Sequence, residues 1–302
     1  YGTEPYNPVR SSRCRLRGRP DDAPGRRLMS RHRVGSDMDL RRLVRGRVDW
    51  PAVERVAREL ADRYDRDEMR VEFLDADNWL STPMVVDDEL FVKVITRQNT
   101  LVHALFTTGR NLGAVSAGTE GFFQRYETPY GMARHELAAT RRVRELGVNA
   151  PEPIEAFEVG DLGVVVSEYL PEFRTLDEFD AGRVVALAPA LFATLRTIHD
   201  AGLAHGDLRA ENVLVCDGEL YVIDATRVSD DGRESARAYD LASALAALEP
   251  LVGAADTVDA ALDHYAVDEL FAAERFLDFV AVRPDHEFDA AELTGELDKR
   301  AS

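Results

Sequence analysis

Residues 205–212 read His-Gly-Asp-Leu-Arg-Ala-Glu-Asn, and twelve residues past Asn212 a short apolar run, Leu220-Tyr221-Val222-Ile223, ends in Asp224. A carboxylate, an amide and a second carboxylate at these spacings suit phosphoryl transfer. That reaction asks little covalent help of a protein; it asks for a positioned hydroxyl and for cations that neutralise the phosphates. Asp207 can orient an acceptor hydroxyl and take its proton. Asn212, five residues on, and Asp224, at a strand end, offer hard oxygens for Mg²⁺, which keeps several waters and takes few protein ligands. A lone His-x-Asp would carry little weight. The joint pattern is specific: the loop, an apolar strand Val213-Leu214-Val215, a Cys216-to-Glu219 turn, and a second strand ending in Asp.

Composition singles out one more residue. Of 37 basic residues only two are lysines, Lys93 and Lys299; all others are arginines. A chain that avoids lysine yet keeps one in Leu90-Phe91-Val92-Lys93-Val94-Ile95 points to a need for an ammonium there. An ammonium is a compact charge that can reach phosphate oxygens from a strand, where a guanidinium is wider and forked. The run also resembles the V-A-I-K strand of kinases, whose Lys contacts phosphates and pairs with a helix Glu. The alternative is a solvated lysine on an edge strand.

The elements that must position these groups follow from periodicity. Asp49 and Pro51 mark a helix start, and Val53, Val56, Ala57, Leu60 and Ala61 recur at helical spacing. Strands are expected at 69–74, 84–86 and 90–95, the last two joined by Asp87-Asp88. No glycine lies between residues 71 and 95, where a Gly-rich phosphate cover would sit, so close backbone approach there is harder. The glycine-containing run 115–121 reads as loop, and residues 97–130 as a poorly packed insertion. A helix over 131–146 carries Glu136, a partner for Lys93; Glu127 and Glu145 are the alternatives. Strands at 154–158 and 164–169 flank a Gly160-to-Gly163 turn. The backbone of Glu168 and Leu170 then leaves the sheet as a hinge for an adenine edge. A helix over 183–202 leads into the loop of Asp207.

Length and charge bound the remainder. The 302 residues suffice for one large or two smaller domains with a substantial core. Cys14 and Cys216 make no framework, so neither a disulfide scaffold nor a cysteine metal site is expected. The apolar stretch from Val184 to Leu195 is broken by Pro189 and is too short to span a bilayer. No signal segment opens the chain, and a reducing, cytoplasmic setting without membrane contact is expected. Residues 1–37 hold nine arginines against four acids, a net of +5, which leaves −23 on the other 265 residues of a chain whose total is −18. So acidic a surface works against direct contact with nucleic-acid phosphates, except through that basic arm. It looks like the composition of proteins from salt-loving organisms, with carboxylates holding hydration while salt screens their repulsion. Residues 1–37 are expected to be disordered, either as a basic arm touching RNA or an acidic partner, or as an extension upstream of Met38.

The ensemble resembles the RIO family of atypical protein kinases over roughly residues 70–250. The loop reads HGDL, not HRDL; Asp224 is followed by Ala225-Thr226 and not Phe-Gly. About forty residues separate Lys93 from Glu136, room for the long insertion of that family. Fifteen residues separate Asp224 from Tyr239-Asp240-Leu241, with no Ala-Pro-Glu, so the usual activation segment is absent. Asp240 matches the buried aspartate that props the catalytic loop in kinase-like folds; it also reads as a helix N-cap. The resemblance implies a bilobal α+β fold: a helical segment over 38–68, a small β-rich N-lobe over 69–170 and a mainly helical C-lobe over 171–302. It implies ATP and Mg²⁺ as cofactors and a protein or ribosomal-particle substrate, while the acidic, lysine-poor composition points to a halophilic archaeal source. Two departures stand out. The Ser-Thr-Gly-Lys-Glu type phosphate loop is missing. Arg209 stands where a Ser is usual, from which it can reach a γ-phosphate. Three functions remain open: a RIO-like serine/threonine kinase or ATPase switch; a small-molecule phosphotransferase of the aminoglycoside or choline class, which shares the HGD core; and a nucleotide-binding pseudokinase.

Overall fold

The computed structural model describes residues 48, 50–74, 81–100, 128–225, 233–281 and 287–300. Helix α1 (Trp50–Arg63) precedes strands β1 (Val71–Phe73), β2 (Thr82–Val86) and β3 (Leu90–Ile95). Helix α2 (Pro129–Glu145) and strands β4 (Pro153–Val159) and β5 (Leu162–Glu168) complete an antiparallel sheet of order β1-β2-β3-β5-β4.

Strand alternation decides what β3 presents to each side. Successive side chains point to opposite faces of a sheet. Leu90, Val92 and Val94 pack with Val53, Val56 and Leu60 of α1 in one core cluster. Ile95, two residues from Lys93, packs on the other face with Met132, Ala133 and Leu137 of α2. Lys93, in register with Pro83 and Val165, therefore points toward α2. On α2, Glu136 lies three and four residues from Ala133 and Met132, on the same helix face. Period two and period 3.6 together aim the ammonium and the carboxylate at one another.

Helix α2 begins two residues earlier than Gly131. Thr128 caps it, its hydroxyl accepting the Gly131 N–H at 3.0 Å, and Pro129 takes the first helical position, which needs no amide hydrogen. The β4–β5 turn is only Gly160-Asp161, so Leu162 and Gly163 belong to β5 and not to the turn. Gly163 is needed there for contact: a Cβ on it would lie 2.3 Å from the Pro129 carbonyl oxygen. Gly163→Ala must push α2 off the sheet, and is expected to cost about 1–3 kcal/mol, read as a lower urea midpoint.

The second lobe holds the small sheet β6 (Arg174–Thr175), β7 (Val213–Cys216) and β8 (Glu219–Val222) and the helices α3 (Ala181–Asp200), α4 (Arg233–Val252), α5 (Ala254–Leu262), α6 (Val267–Glu274), α7 (Leu277–Ala281) and α8 (Ala290–Arg300). Strands β7 and β8 turn through Asp217 and Gly218, both with positive φ. Its core joins Val184, Leu187, Leu191 and Leu195 of α3 to Leu241, Leu245 and Leu248 of α4 and to apolar residues of α5 to α8.

Helix α3 corrects one expectation. The helix expected over 183–202 is present and runs through Pro189, but at 20 residues it is long and apolar enough to cross a membrane by length and composition alone, where the stretch 184–195 reads as too short. The carbonyl that Pro189 leaves without a donor belongs to Val185, which is exposed and can be hydrated. The buried stripe of α3 packs into the lobe's core. Helix α4 corrects another. It starts at Arg233, so Asp240 lies inside it, fully buried, and is no N-cap. Of the expected insertion, residues 101–127 lie outside the described residues; residues 97–100 are helical, with Asn99 and Thr100 buried, and 129–130 open α2. The expected disorder of 1–37, the loop at 115–121 and the alternative Glu127 also fall outside the described residues.

Candidate active site

Lys93 is buried, at 5% exposure, and its ammonium bridges two carboxylates. Nζ lies 2.9 Å from Glu136 Oε1 and also contacts Asp224 Oδ1. The Glu136 contact is the pairing expected from sequence; the solvated alternative and Glu145 are set aside by it. The Asp224 contact was not foreseen, since 131 residues separate the two and no local pattern relates them. Burial works against the charge of Lys93, but Asp224 and Glu136 outweigh it and hold the ammonium well above its ordinary value. Burial, reinforced by the Asp224 charge, raises Glu136, while Lys93 opposes the shift.

Asp224 follows β8 in a left-handed backbone conformation, φ 61°, which non-glycine residues adopt rarely. That turn directs its carboxylate back toward β3. The Ile223 N–H donates to Asn212 O at 3.0 Å, tying the segment before Asp224 to the end of the Asp207 loop. Within the loop, Asn212 Nδ2 donates to the Asp207 carbonyl at 2.8 Å. This fixes which end of the amide is nitrogen and leaves Oδ1 as the available ligand atom. Asp207 is mostly buried, and Arg209 Nε lies 3.8 Å from its Oδ2. Arg209 thus engages the Asp207 carboxylate.

The loop hangs from Asp240. The backbone N–H groups of His205 and Gly206 donate to its two oxygens, the latter at 2.6 Å. Gly206 has φ 83°, a conformation that a side chain would strain, which explains glycine before Asp207. The Asp207 N–H approaches His205 Nδ1 at 3.4 Å, an acceptor role that leaves the proton on Nε2. Burial holds His205 below its ordinary value of 6.5, against the raising effect of Asp240, Asp207 and Asp224. With the folded value depressed, the unfolded chain binds a proton below pH 6.5 that the folded chain refuses. Stability is therefore full above that pH and should fall on acidification, by up to about 1.4 kcal/mol per unit. Urea titrations between pH 7.5 and 5.5, with His205→Asn as the flatter reference, measure it.

The hinge residues are placed less directly. Glu168 ends β5; its N–H donates to Glu152 O at 2.8 Å and its carboxylate accepts from Glu152 N–H. The Tyr169 N–H donates to Glu89 O at 2.9 Å. Neither amide is left for a ligand, so an adenine-edge role for Glu168 falls to its carbonyl, with the Leu170 backbone beside it. Among the described residues no cluster of three or more His, Cys, Asp or Glu side chains could form an all-protein metal cage. Two oxygens, from Asn212 and Asp224, match the sparse protein ligation of Mg²⁺, whose remaining positions are filled by phosphates and water.

Residues 123–239 match the family model of the RIO domain. That match covers 117 of the 302 residues. The RIO match takes in α2, the Asp207 loop, Asp224 and Tyr239, and stops short of β3 on its N-terminal side. Three curated proteins are similar over part of the chain. The KEOPS complex subunit Bud32 of Pyrococcus abyssi is 29% identical over 110 residues, 35% of this chain and 49% of that protein. The RIO-type serine/threonine-protein kinase Rio1 of Haloferax volcanii is 35% identical over 94 residues, 30% of this chain and 31% of that protein. A probable bifunctional tRNA threonylcarbamoyladenosine biosynthesis protein of Thermoplasma acidophilum is 30% identical over 120 residues, 40% of this chain and 21% of that protein. The matches span about half or less of each relative's length. Among solved structures, an aminoglycoside-3′-phosphotransferase of type VIII aligns with TM-score 0.45 and 18% identity, over 74% of this chain and 98% of that one.

Proposed function

We propose that this RIO-type chain is an ATP- and Mg²⁺-dependent phosphotransferase that acts on a serine or threonine hydroxyl of a protein or ribosomal particle. One observation carries the reading: a buried lysine clasped by Glu136 and Asp224, with the segment before Asp224 hydrogen-bonded to the end of the Asp207 loop. In this reading Lys93 holds α- and β-phosphate oxygens, and Glu136 keeps its ammonium aimed. Glu168 and Leu170 receive the adenine edge through their backbones. Asn212 and Asp224 supply oxygens to Mg²⁺, which when bound neutralises the phosphates. Asp207 orients the acceptor hydroxyl and takes its proton. Arg209 is then drawn from Asp207 to the γ-phosphate, where its charge offsets that developing in transfer. Lys93 and Glu136 belong to an N-lobe over 69–170, and Asp207, Arg209, Asn212 and Asp224 to a C-lobe over 171–302.

A second reading draws on the two relatives whose names place them in the KEOPS complex and in tRNA threonylcarbamoyladenosine biosynthesis. Here the same site hydrolyses ATP as a switch within an assembly, with water as acceptor. One experiment tests both. The protein is incubated with γ-labelled ATP and Mg²⁺ at high salt, with and without ribosomal subunits and a panel of small hydroxylic acceptors. Label on protein supports the first reading, and free phosphate the second. Label on a small acceptor replaces both with a small-molecule kinase. ATP binding without turnover leaves a pseudokinase.

A further inference from the structure

The Asp207 loop is held by a buried chain of contacts reaching far behind the site. Asp240 is fully buried and accepts the N–H groups of His205 and Gly206. Its Oδ2 also lies 3.2 Å from His199 Nε2, on the last turn of α3. The other ring nitrogen, Nδ1, lies 2.9 Å from the hydroxyl of Tyr265, in the connection between α5 and α6. Both His199 and Tyr265 are buried. Other groups surround rather than join the chain. Arg196 sits 5.4 Å over the Tyr265 ring and bonds Asp200 and Glu269 at the surface, Phe192 meets the ring edge-on, and Arg237 donates to the His199 carbonyl.

Donor and acceptor counting orients every proton. An ionised carboxylate only accepts, so the His199 nitrogen facing Asp240 must carry hydrogen. A neutral ring then has a bare Nδ1, which accepts the Tyr265 O–H. Burial, with the Asp240 charge nearby, raises the Tyr265 phenol far above its ordinary range, so that hydroxyl stays a donor. Without it, His199 is free to move its proton to Nδ1 and turn a lone pair on Asp240. The tautomer of a buried histidine is set by the bond its other nitrogen makes.

We propose that Tyr265 and His199 are positioning residues: the Tyr265 hydroxyl locks the His199 tautomer that keeps Asp240 aimed at the amides of His205 and Gly206, and so sets the placement of Asp207. The proposal rests on the phosphotransferase reading for its kinetic consequence, though not for its structural one. Three variants test it: Tyr265→Phe, His199→Gln and the double. The Gln side-chain amide presents an N–H toward Asp240 whatever stands at residue 265. Tyr265→Phe should lower kcat for ATP turnover about tenfold, the low end of outer-shell effects, with KM for Mg·ATP changed less than about twofold. In the His199→Gln background the same substitution should cost nothing further.

In the nucleotide-free protein, NMR amide exchange at His205 and Gly206 should quicken in Tyr265→Phe and return in the double variant. Unchanged exchange in Tyr265→Phe, an equal kcat loss with and without His199→Gln, or a KM rise matching the kcat loss would overturn the relay. If the wild type neither binds nor turns over ATP, the functional reading fails, and the exchange data alone decide the relay. Should Tyr265→Phe not fold, folding of the double variant supports the relay and its failure to fold overturns it.

Discussion

Lys93→Met is expected to abolish ATP turnover and to make the protein less sensitive to acid. The substitution keeps the length and apolar stem of the side chain while removing a charge that two carboxylates enclose. Breaking a buried pair from one side leaves an uncompensated charge, which typically costs about 3–5 kcal/mol. Here two acids, Glu136 and Asp224, would remain, each about one-fifth exposed, so water screens part of that figure and the lower end is expected. With the Lys93 charge gone, burial and the Asp224 charge raise Glu136 unopposed, further above its ordinary 4.5. The folded variant then binds more protons than the unfolded chain just above that pH. That contribution is full in mild acid and is lost as pH rises through the raised value. His205, present in both proteins, works in the opposite direction, so the variant should lose less stability on acidification than the wild type. Urea midpoints for both proteins at pH 5 and pH 7.5 check this; parallel pH dependences would mean the two carboxylates are not left facing one another. Nucleotide affinity should fall with the lost phosphate contact, read by titration calorimetry with Mg·ATP.

The Lys93–Glu136 pair was legible because two periods were. Alternation along Leu90–Ile95 and helical spacing from Met132 to Glu136 each follow from local backbone geometry. The Asp207–Asn212 loop was legible as a motif, and Gly206 carries its own reason in a positive φ. What the sequence hid are contacts whose partners are set by packing between lobes and helices. Asp224 meets Lys93 across 131 residues, and no window of the sequence reports that. Asp240 was readable either as a cap or as a prop, since an aspartate before Leu241 looks alike in both; the helix already running from Arg233 decides for burial. His199 and Tyr265 gave no signal, for a histidine at the end of an apolar helix and a tyrosine in a short connection are ordinary core residues until Asp240 stands between them and the loop.

The last expectation separates the roles of Asp207 and Asp224 within the proposed reaction. Asp224→Asn keeps the shape of the side chain but removes a full charge from the lysine clasp and from the oxygens offered to Mg²⁺. Mg·ATP affinity and turnover should fall together, because phosphate charge is then balanced neither in the bound state nor during transfer. Asp207→Asn also keeps shape, and the Asp207 carboxylate faces Arg209 at 3.8 Å. Nucleotide affinity should stay nearly intact while turnover drops about 10²- to 10⁴-fold, the share typical of a general base. Asn212→Ala should fall between the two, as the loss of one neutral ligand and of the bond to the Asp207 carbonyl. Calorimetric Kd for Mg·ATP beside single-turnover rates places each variant on two axes, and a loss of binding is not confused with a loss of chemistry. If Asp207→Asn keeps full phosphate release while Asp224→Asn loses nucleotide, the hydroxyl proton is not taken by Asp207. Water would then be the acceptor that needs no base, as in the ATPase-switch reading, and Arg209, released from its carboxylate, would be the next group to replace.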